Sequence, residues 1–476
     1  MFIDVETMNA ADIQLVLGDA DVLQADSSAT IARVLEQRVT AVLHKLLIRP
    51  SLASLPPVEQ EEGGILQNYL RVLAVAYDKT RKLAKELRSV GCGDLDTEGL
   101  TESIFVSHKD EYTEFEQASL RQLYQSRMAE LTQQPLSVTV VDEFVRWNEE
   151  AVRRCVLLFS QQPSTATANV RSIFACLLDQ VSQYLTQGLD HARQGLDEAA
   201  AMRDSCLIGT SVSKRVATAA ASAAEAAAAA GEGSFRCFMI AVQRCASYVA
   251  ILQQYFSNTI SPLLLPVNGA HPSACEDMGS AVSVVDAAAH RGLLQCIDTV
   301  TCEVDRLLSS EQRATDYQSP DDDGAAPNQR PTNACVRIVA YLSRVLEVAF
   351  SALEGLNKQS FFTGLGDRLH KGLLNHWQKF RFSPSGGLRL KHDITEYREF
   401  VRSFNAPSID EKFELLGIMA NVFVVAPESL ASLLEGTPSI RKDALRFIQL
   451  RDDYKTAKIA SVLNRIMFEY TSLGES

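Results

Sequence analysis

Five short stretches of this sequence carry residue types that could do chemistry, and each needs partners that the sequence must also supply. Gly364-Leu365-Gly366-Asp367-Arg368-Leu369 opens like a loop that cradles a dinucleotide phosphate. That chemistry needs a glycine at the final position, where Leu369 stands, and a β-strand leading into the loop. No strand pattern precedes it, so the motif is broken. Asp321-Asp322-Asp323 suggests a calcium loop, but such a loop begun at Asp321 places Thr332 where a bidentate acid is required. A solvated acidic linker fits better. His370 and His376 are six positions apart and fall on different helix faces, whereas zinc-binding pairs on a helix sit four apart. They read as ordinary helix histidines. Ser211-Val212-Ser213-Lys214 satisfies Ser-x-x-Lys without its partner motifs, and is read as coincidence.

The fifth stretch is basic. Arg368, Lys371, Lys379, Arg381, Arg389 and Lys391 are interleaved with Trp377, Phe380 and Phe382. Such a mixture can contact nucleic acid or lipid headgroups. Asp393, Glu396 and Glu399 follow closely, so a balanced helix–loop surface is the plainer reading. The six cations stand as the candidate contact residues for an anionic surface. No residue is singled out as catalytic, cofactor-binding or metal-ligating, and no cofactor is expected.

The elements that must position these residues are helical. The chain has 476 residues, 46% hydrophobic and 22% charged, enough to build a substantial core and too long for a single one. Its 15 prolines and 24 glycines are too few for the turns of an all-β chain of this length. The net charge of −13 argues against nucleic acid or anionic lipid as a partner of the whole surface. Ten cysteines without a Cys-x-x-Cys pair suggest a reducing, cytosolic compartment. Met1-Phe2-Ile3-Asp4-Val5-Glu6 lacks the basic start of a signal peptide. No uninterrupted apolar run reaches the roughly 18 residues of a membrane span, so the chain is expected to be soluble.

Apolar spacing of three and four predicts helices over about 29–48, 65–90 and 98–133. A fourth, capped by Ser137, runs through Phe144, Trp147 and Leu157, and a fifth covers about 168–190 after Pro163. Short breaks between them predict antiparallel bundles. Ala217 to Ala230, nearly pure alanine, reads as an insertion or exposed connector with little to bury. Gln318 to Pro331 is the clearest linker. Beyond it, helices are expected over about 332–356, 360–380, 408–434 and 438–468. The expected organisation is a partial N-terminal bundle at 1–60 and a bundle at 61–205. A bundle at 206–318 with an Ala-rich insertion at 213–233 follows, then a linker at 319–331 and a C-terminal bundle at 332–476.

Several blocks occur in one order: Glu311-Gln312-Arg313-Ala314-Thr315-Asp316-Tyr317, Thr332-Asn333-Ala334-Cys335-Val336, Gly386-Gly387 with Asp393-Ile394-Thr395-Glu396-Tyr397-Arg398, Val424-Val425-Ala426-Pro427-Glu428-Ser429-Leu430, and Phe447 to Tyr454. Together they resemble the C-terminal two-thirds of the Sec-ten family of exocyst subunits, also called exocyst component five. Tyr77-Asp78-Lys79-Thr80 and Ser103-Ile104-Phe105-Val106-Ser107 fit more loosely. The resemblance implies an all-α fold, an elongated rod of consecutive antiparallel helical bundles. It implies a non-catalytic subunit of a complex that holds secretory vesicles at the plasma membrane before fusion. The implied partners are other exocyst subunits, with the Sec-fifteen subunit as neighbour, together with small GTPases and a peripheral membrane contact. The implied location is the cytoplasm, with recruitment to sites of secretion. The family's N-terminal coiled-coil region has no counterpart before Met1, so a truncated or divergent form is expected. The rival readings are a peripheral lipid-binding helical protein and an α-helical enzyme.

Overall fold

The structure, a computed structural model, describes residues 28–51, 64–89, 96–131, 135–208, 214–319, 330–436, 441–457 and 459. Among these the regular elements are helices, and the one extended pairing is an isolated parallel bridge between Phe382 and Arg451. The all-α expectation is met. The chain divides into two compact units, residues 1–188 with 244–286, and residues 189–243 with 287–476.

The first unit begins with α1 (Ser28–Leu46) and α2 (Ile65–Ser89). The helix expected over 98–133 is two, α3 (Thr97–Lys109) and α4 (Tyr112–Glu130). The chain leaves the helical range at Glu111, with φ −111° and ψ 12°. No glycine or proline marks this break, so the apolar periodicity ran straight across it. Both sides stay buried, Phe105 edge-on to Tyr77 at 5.2 Å and Tyr112 beside Phe159 at 5.5 Å. Ser137 precedes α5 (Val138–Leu158) as expected, yet its side chain makes no capping bond. Its hydroxyl meets Thr139 Oγ1 at 2.9 Å, and its backbone N–H donates to Tyr184. A break after Leu158 separates α5 from α6 (Pro163–Ile208), which Pro163 opens five residues before the expected start, because a missing N–H costs nothing at a first turn.

Polar groups tie this core together. Asn148 donates to the Ile173 carbonyl at 2.8 Å and accepts from the Tyr255 hydroxyl at 3.0 Å, all three buried. Glu116 is fully enclosed and accepts from both nitrogens of the Arg154 fork. Lys109, also buried, donates to Glu102 at 2.6 Å and lies over the Tyr77 ring.

The alanine tract is part of α7 (Lys214–Tyr255), a 42-residue helix. Within the second unit, Ala224, Ala227, Ala228 and Gly231 line a groove of about 460 Å³ across from Thr299, Cys302 and Tyr341. The stretch Ser222–Leu264 is long and apolar enough to cross a membrane by length and composition alone. Counting uninterrupted runs missed it, since Glu225, Glu232, Arg236 and Arg244 break the run. Phe235, Phe238, Met239, Tyr248 and Leu252 of this stretch are buried within the protein, as core-helix side chains are.

A π-helical turn, Phe256–Ile260, leads into the short α8 (Ser261–Leu264), followed by α9 (Ala270–Glu311). In the second unit Gly292 of α9 faces the tip of the Phe238 ring, 2.0 Å from where a Cβ would stand. After the linker come α10 (Asn333–Ala352), α11 (Gly355–Trp377), α12 (Pro384–Val401) and α13 (Pro407–Met419). The helix expected over 408–434 is broken at Ala420 and again at Val425-Ala426-Pro427, giving α13, α14 (Asn421–Val424) and α15 (Leu430–Gly436). The helix expected over 438–468 appears as α16 (Arg441–Ile448), followed by turns through Ala457; residues 460–476 lie outside the described residues. α12 has no counterpart among the expected helices. It packs against α10, α13 and α14.

Candidate functional site: a buried polar junction in the second unit

Asp393 of α12 is 1% exposed. Its carboxylate accepts three hydrogen bonds: from the Tyr317 hydroxyl at 2.7 Å, the Thr332 backbone N–H at 2.7 Å and the Thr332 hydroxyl at 2.9 Å. Tyr317 and Thr332 stand on opposite sides of the linker, so one side chain binds both of its ends. Thr332 is also the N-cap of α10, accepting from the Cys335 N–H at 3.2 Å. Burial pushes the Asp393 carboxyl up to about 6, against the pull of the Thr332 and Tyr317 donors and of nearby Arg389.

Tyr317 is held at its backbone too. Its carbonyl accepts from the Ser383 N–H at 3.0 Å, and Ser383 caps α12 by accepting from the Gly386 N–H at 3.0 Å. Ser383-Pro384 is a helix start with the side-chain cap and the first-turn proline both in place. The two glycines that follow are explained by proximity. A Cβ at Gly386 would sit 1.7 Å from the Tyr317 carbonyl oxygen, and one at Gly387 would sit 2.6 Å from Phe423 Cβ.

An aromatic column extends the junction. Tyr317 stacks on Phe382 at 4.9 Å, and Phe382 stacks on Phe423 at 4.1 Å. Phe382 donates its N–H to the Leu450 carbonyl and accepts from the Asp452 N–H, each at 3.0 Å. Arg451, 2% exposed, turns inward and donates to the Val422 and Val425 carbonyls at 2.6 and 2.8 Å, with Asp453 as its counter-ion. This inward turn ends the helical run at α16. The carbonyls it satisfies are freed where the helix expected over 408–434 breaks.

The five sequence blocks therefore meet at one place: Tyr317 from the first, Thr332 and Cys335 from the second, Gly386, Gly387 and Asp393 from the third, Val425 from the fourth, Arg451 and Asp453 from the fifth. The Asp393 carboxylate is filled by donors of its own chain, so the junction holds backbone in place.

The basic stretch is placed differently from its sequence order. Arg368 pairs with Asp298, and Arg389 pairs with Asp316 at 3.1 Å. Arg381 donates to the Gln449 carbonyl at 2.6 Å, and Lys391 donates to Asn421 at 2.9 Å. Lys371 and Lys379 are exposed. Four of the six cations thus act within the chain.

Gly364 to Leu369 lies inside α11, where a Cβ at Gly366 would meet Ile409 Cγ2 at 2.7 Å. That glycine admits α13 and cradles no phosphate. His370 lies edge-on to Phe413 at 5.8 Å. His376 is buried beside Phe380, and desolvation lowers it to about 4, so it is neutral at pH 7. Asp321-Asp322-Asp323 and Ser211 to Ser213 lie outside the described residues. Sequence reading missed α12 and the role of Asp393. Ser383-Pro384 followed by Leu390, Ile394, Tyr397 and Val401 was the available signal.

Comparison with known proteins places the chain in a family. Residues 28–134 and 131–463 match the family described as "Exocyst complex component Sec10-like, alpha-helical bundle". Exocyst complex component 5 of Oryza sativa subsp. japonica is 72% identical over 98% of this chain and 65% of its own length. Exocyst complex component SEC10b of Arabidopsis thaliana is 60% identical over 98% of this chain and 63% of its own length. Exocyst complex component 5 of Homo sapiens is 26% identical over 47% of this chain and 32% of its own length. The chain spans less than two thirds of the length of these relatives.

Proposed function

The chain belongs to the Sec10-like family of exocyst components, and on that premise we propose that it is a non-catalytic scaffold of a vesicle-tethering complex. It acts by holding helical surfaces in fixed register for other exocyst subunits, so that secretory vesicles are kept at the plasma membrane before fusion. The match across residues 28–134 and 131–463 carries this reading. The junction supports it, because it locks backbone in place. The proposed partners are the other exocyst subunits, with the Sec-fifteen subunit as neighbour and small GTPases as regulators. The proposed location is the cytoplasm, with recruitment to sites of secretion. Lys371 and Lys379 are the members of the basic stretch proposed for contact with an anionic membrane surface.

The test is affinity capture from cytosol of the chain's own source, with this chain and its full-length relative as parallel baits, read by mass spectrometry. Recovery of several exocyst subunits on this chain supports a scaffold role for these residues. Recovery on the full-length bait alone assigns assembly to residues outside this chain, and recovery on neither overturns the proposal.

A further inference from the structure

Ser261, His271 and Cys275 come together in the first unit, past the π-helical turn Phe256–Ile260. The loop between α8 and α9 includes Gly269 at φ 86°, a left-handed backbone that favours glycine. His271 lies in the first turn of α9 and Cys275 one turn later, and spacing of four puts both on one face. Cys275 Sγ is 3.8 Å from His271 Nδ1, and His271 Nε2 is 3.0 Å from Ser261 Oγ. The Phe256 ring lies against the imidazole at 5.6 Å. One tautomer serves both contacts: Nε2–H donates to Ser261 Oγ, which leaves the Nδ1 lone pair facing the thiol. A nucleophile, a base and a group that orients the base stand in series, the arrangement that activates a thiol. π-Helical turns also recur at functional sites. Cys275 is exposed and free.

We propose that Cys275 is a redox-modification site at which a hydroperoxide oxidises the thiol to a sulfenic acid, with His271 as the proton acceptor. The thiol proton passes to Nδ1, and the thiolate attacks the terminal peroxide oxygen. An S–O bond forms and the O–O bond breaks. The departing alkoxide or hydroxide recovers the proton from the imidazolium and leaves as alcohol or water. Sulfur is oxidised and the peroxide is reduced, so the step balances; a thiol then condenses with the sulfenic acid to a disulfide, releasing water, and a further thiol reduces that disulfide and restores Cys275. Glu276 is adjacent to Cys275 in sequence, and the next acid, Asp277, is engaged by Arg171 at 3.0 Å.

Cys237 supplies an internal standard, being exposed and free with no imidazole contact among the described residues. The full chain is treated with limiting iodoacetamide and the labelling rates at Cys275 and Cys237 are read by peptide mass spectrometry. Cys275 should label about tenfold faster or more, and His271→Ala and Ser261→Ala should each bring its rate towards that of Cys237. Hydrogen peroxide followed by dimedone should leave its adduct on Cys275. Equal rates at the two cysteines in the unaltered chain overturn the proposal, as does a Cys275 rate unchanged by His271→Ala. If thermal melting shows that His271→Ala is unfolded, His271→Gln replaces it, and the comparison within the unaltered chain decides without any variant.

Discussion

Tyr317 donates its hydroxyl proton to Asp393 at 2.7 Å, joining two buried side chains 76 positions apart. With the Thr332 bonds to the same carboxylate, it ties together the two points that flank residues 318–331. Tyr317→Phe keeps the ring stacked on Phe382 and removes only the donor. It should lower stability by about 1.5–3 kcal/mol, the range for a hydrogen bond to a charged group. Urea unfolding checks the magnitude, and hydrogen exchange should place the loss around Thr332 and Ser383.

Acidity should act on the same pair with a definite sign. The folded Asp393 carboxyl lies at about 6, above the value of about 3.9 for an unfolded chain. Between those values the folded state holds a proton that the unfolded chain has lost. Its contribution to stability is therefore full below about pH 4 and is lost as the pH rises through about 6. The loss amounts to about 2–3 kcal/mol. The stability difference between the unaltered chain and Asp393→Asn should shrink by that amount from pH 4 to pH 7, while groups common to both cancel. A difference independent of pH would remove Asp393 as the titrating group.

Glycines in helices should divide by what faces them. Gly386→Ala drives a methyl group into the Tyr317 carbonyl oxygen, and backbone cannot rotate away as a side-chain tip can. The expected loss is about 3 kcal/mol or more, in the class of overpacked positions. Gly279 of α9 has nothing within 4 Å of the same point, so Gly279→Ala should gain about 0.5–1 kcal/mol from helix propensity. Paired thermal melts test both.

The enclosed pair in the first unit should be asymmetric to mutation. Arg154→Ala leaves Glu116 buried without its counter-ion and should cost about 3–5 kcal/mol. Replacing both, Glu116→Leu with Arg154→Met, should recover most of that loss, because the desolvation of both charges disappears. Denaturant midpoints of the single and double variants decide.

The basic stretch should split in the same way. Lys371→Glu and Lys379→Glu together should change stability by less than about 0.5 kcal/mol, as exposed sites do. Arg389→Glu, facing Asp316 at the edge of the junction, should cost about 1–3 kcal/mol. Sedimentation with phosphatidylserine vesicles tests the proposed membrane contact. Binding lost in the double lysine variant supports it, and absence of binding by the unaltered chain ends it.

Much of the architecture was legible in the sequence because it rests on periodicity. The helices at Ser28–Leu46, Ile65–Ser89 and Asn333–Ala352 lie close to their expected spans, where apolar residues recur every three or four positions. The break at Glu111 was not legible, since it is set by how Phe105 and Tyr112 pack and not by any breaking residue. α12 was hidden because its glycines and charges read locally as loop, while the groups that satisfy them, Tyr317, Thr332 and Asn421, are distant in sequence. The order of the five blocks was visible, but their meeting point was not. Hydrogen bonds across 61 and 76 positions leave no periodic trace. The pairing of Arg368 with Asp298 was likewise invisible, because charge counted along a sequence says nothing about the opposite helix.

The linker gains something from being fastened at both ends. Tyr317 and Thr332 share Asp393, and Ser319 meets Ser385 at 3.2 Å, so the points where the chain leaves and returns are fixed before anything between them is specified. Closing such a stretch costs only about 0.6 kcal/mol more for each doubling of its length. An insertion between Ser319 and Arg330 should therefore leave the stability of the helices on either side nearly unchanged, which a thermal melt of such a variant checks.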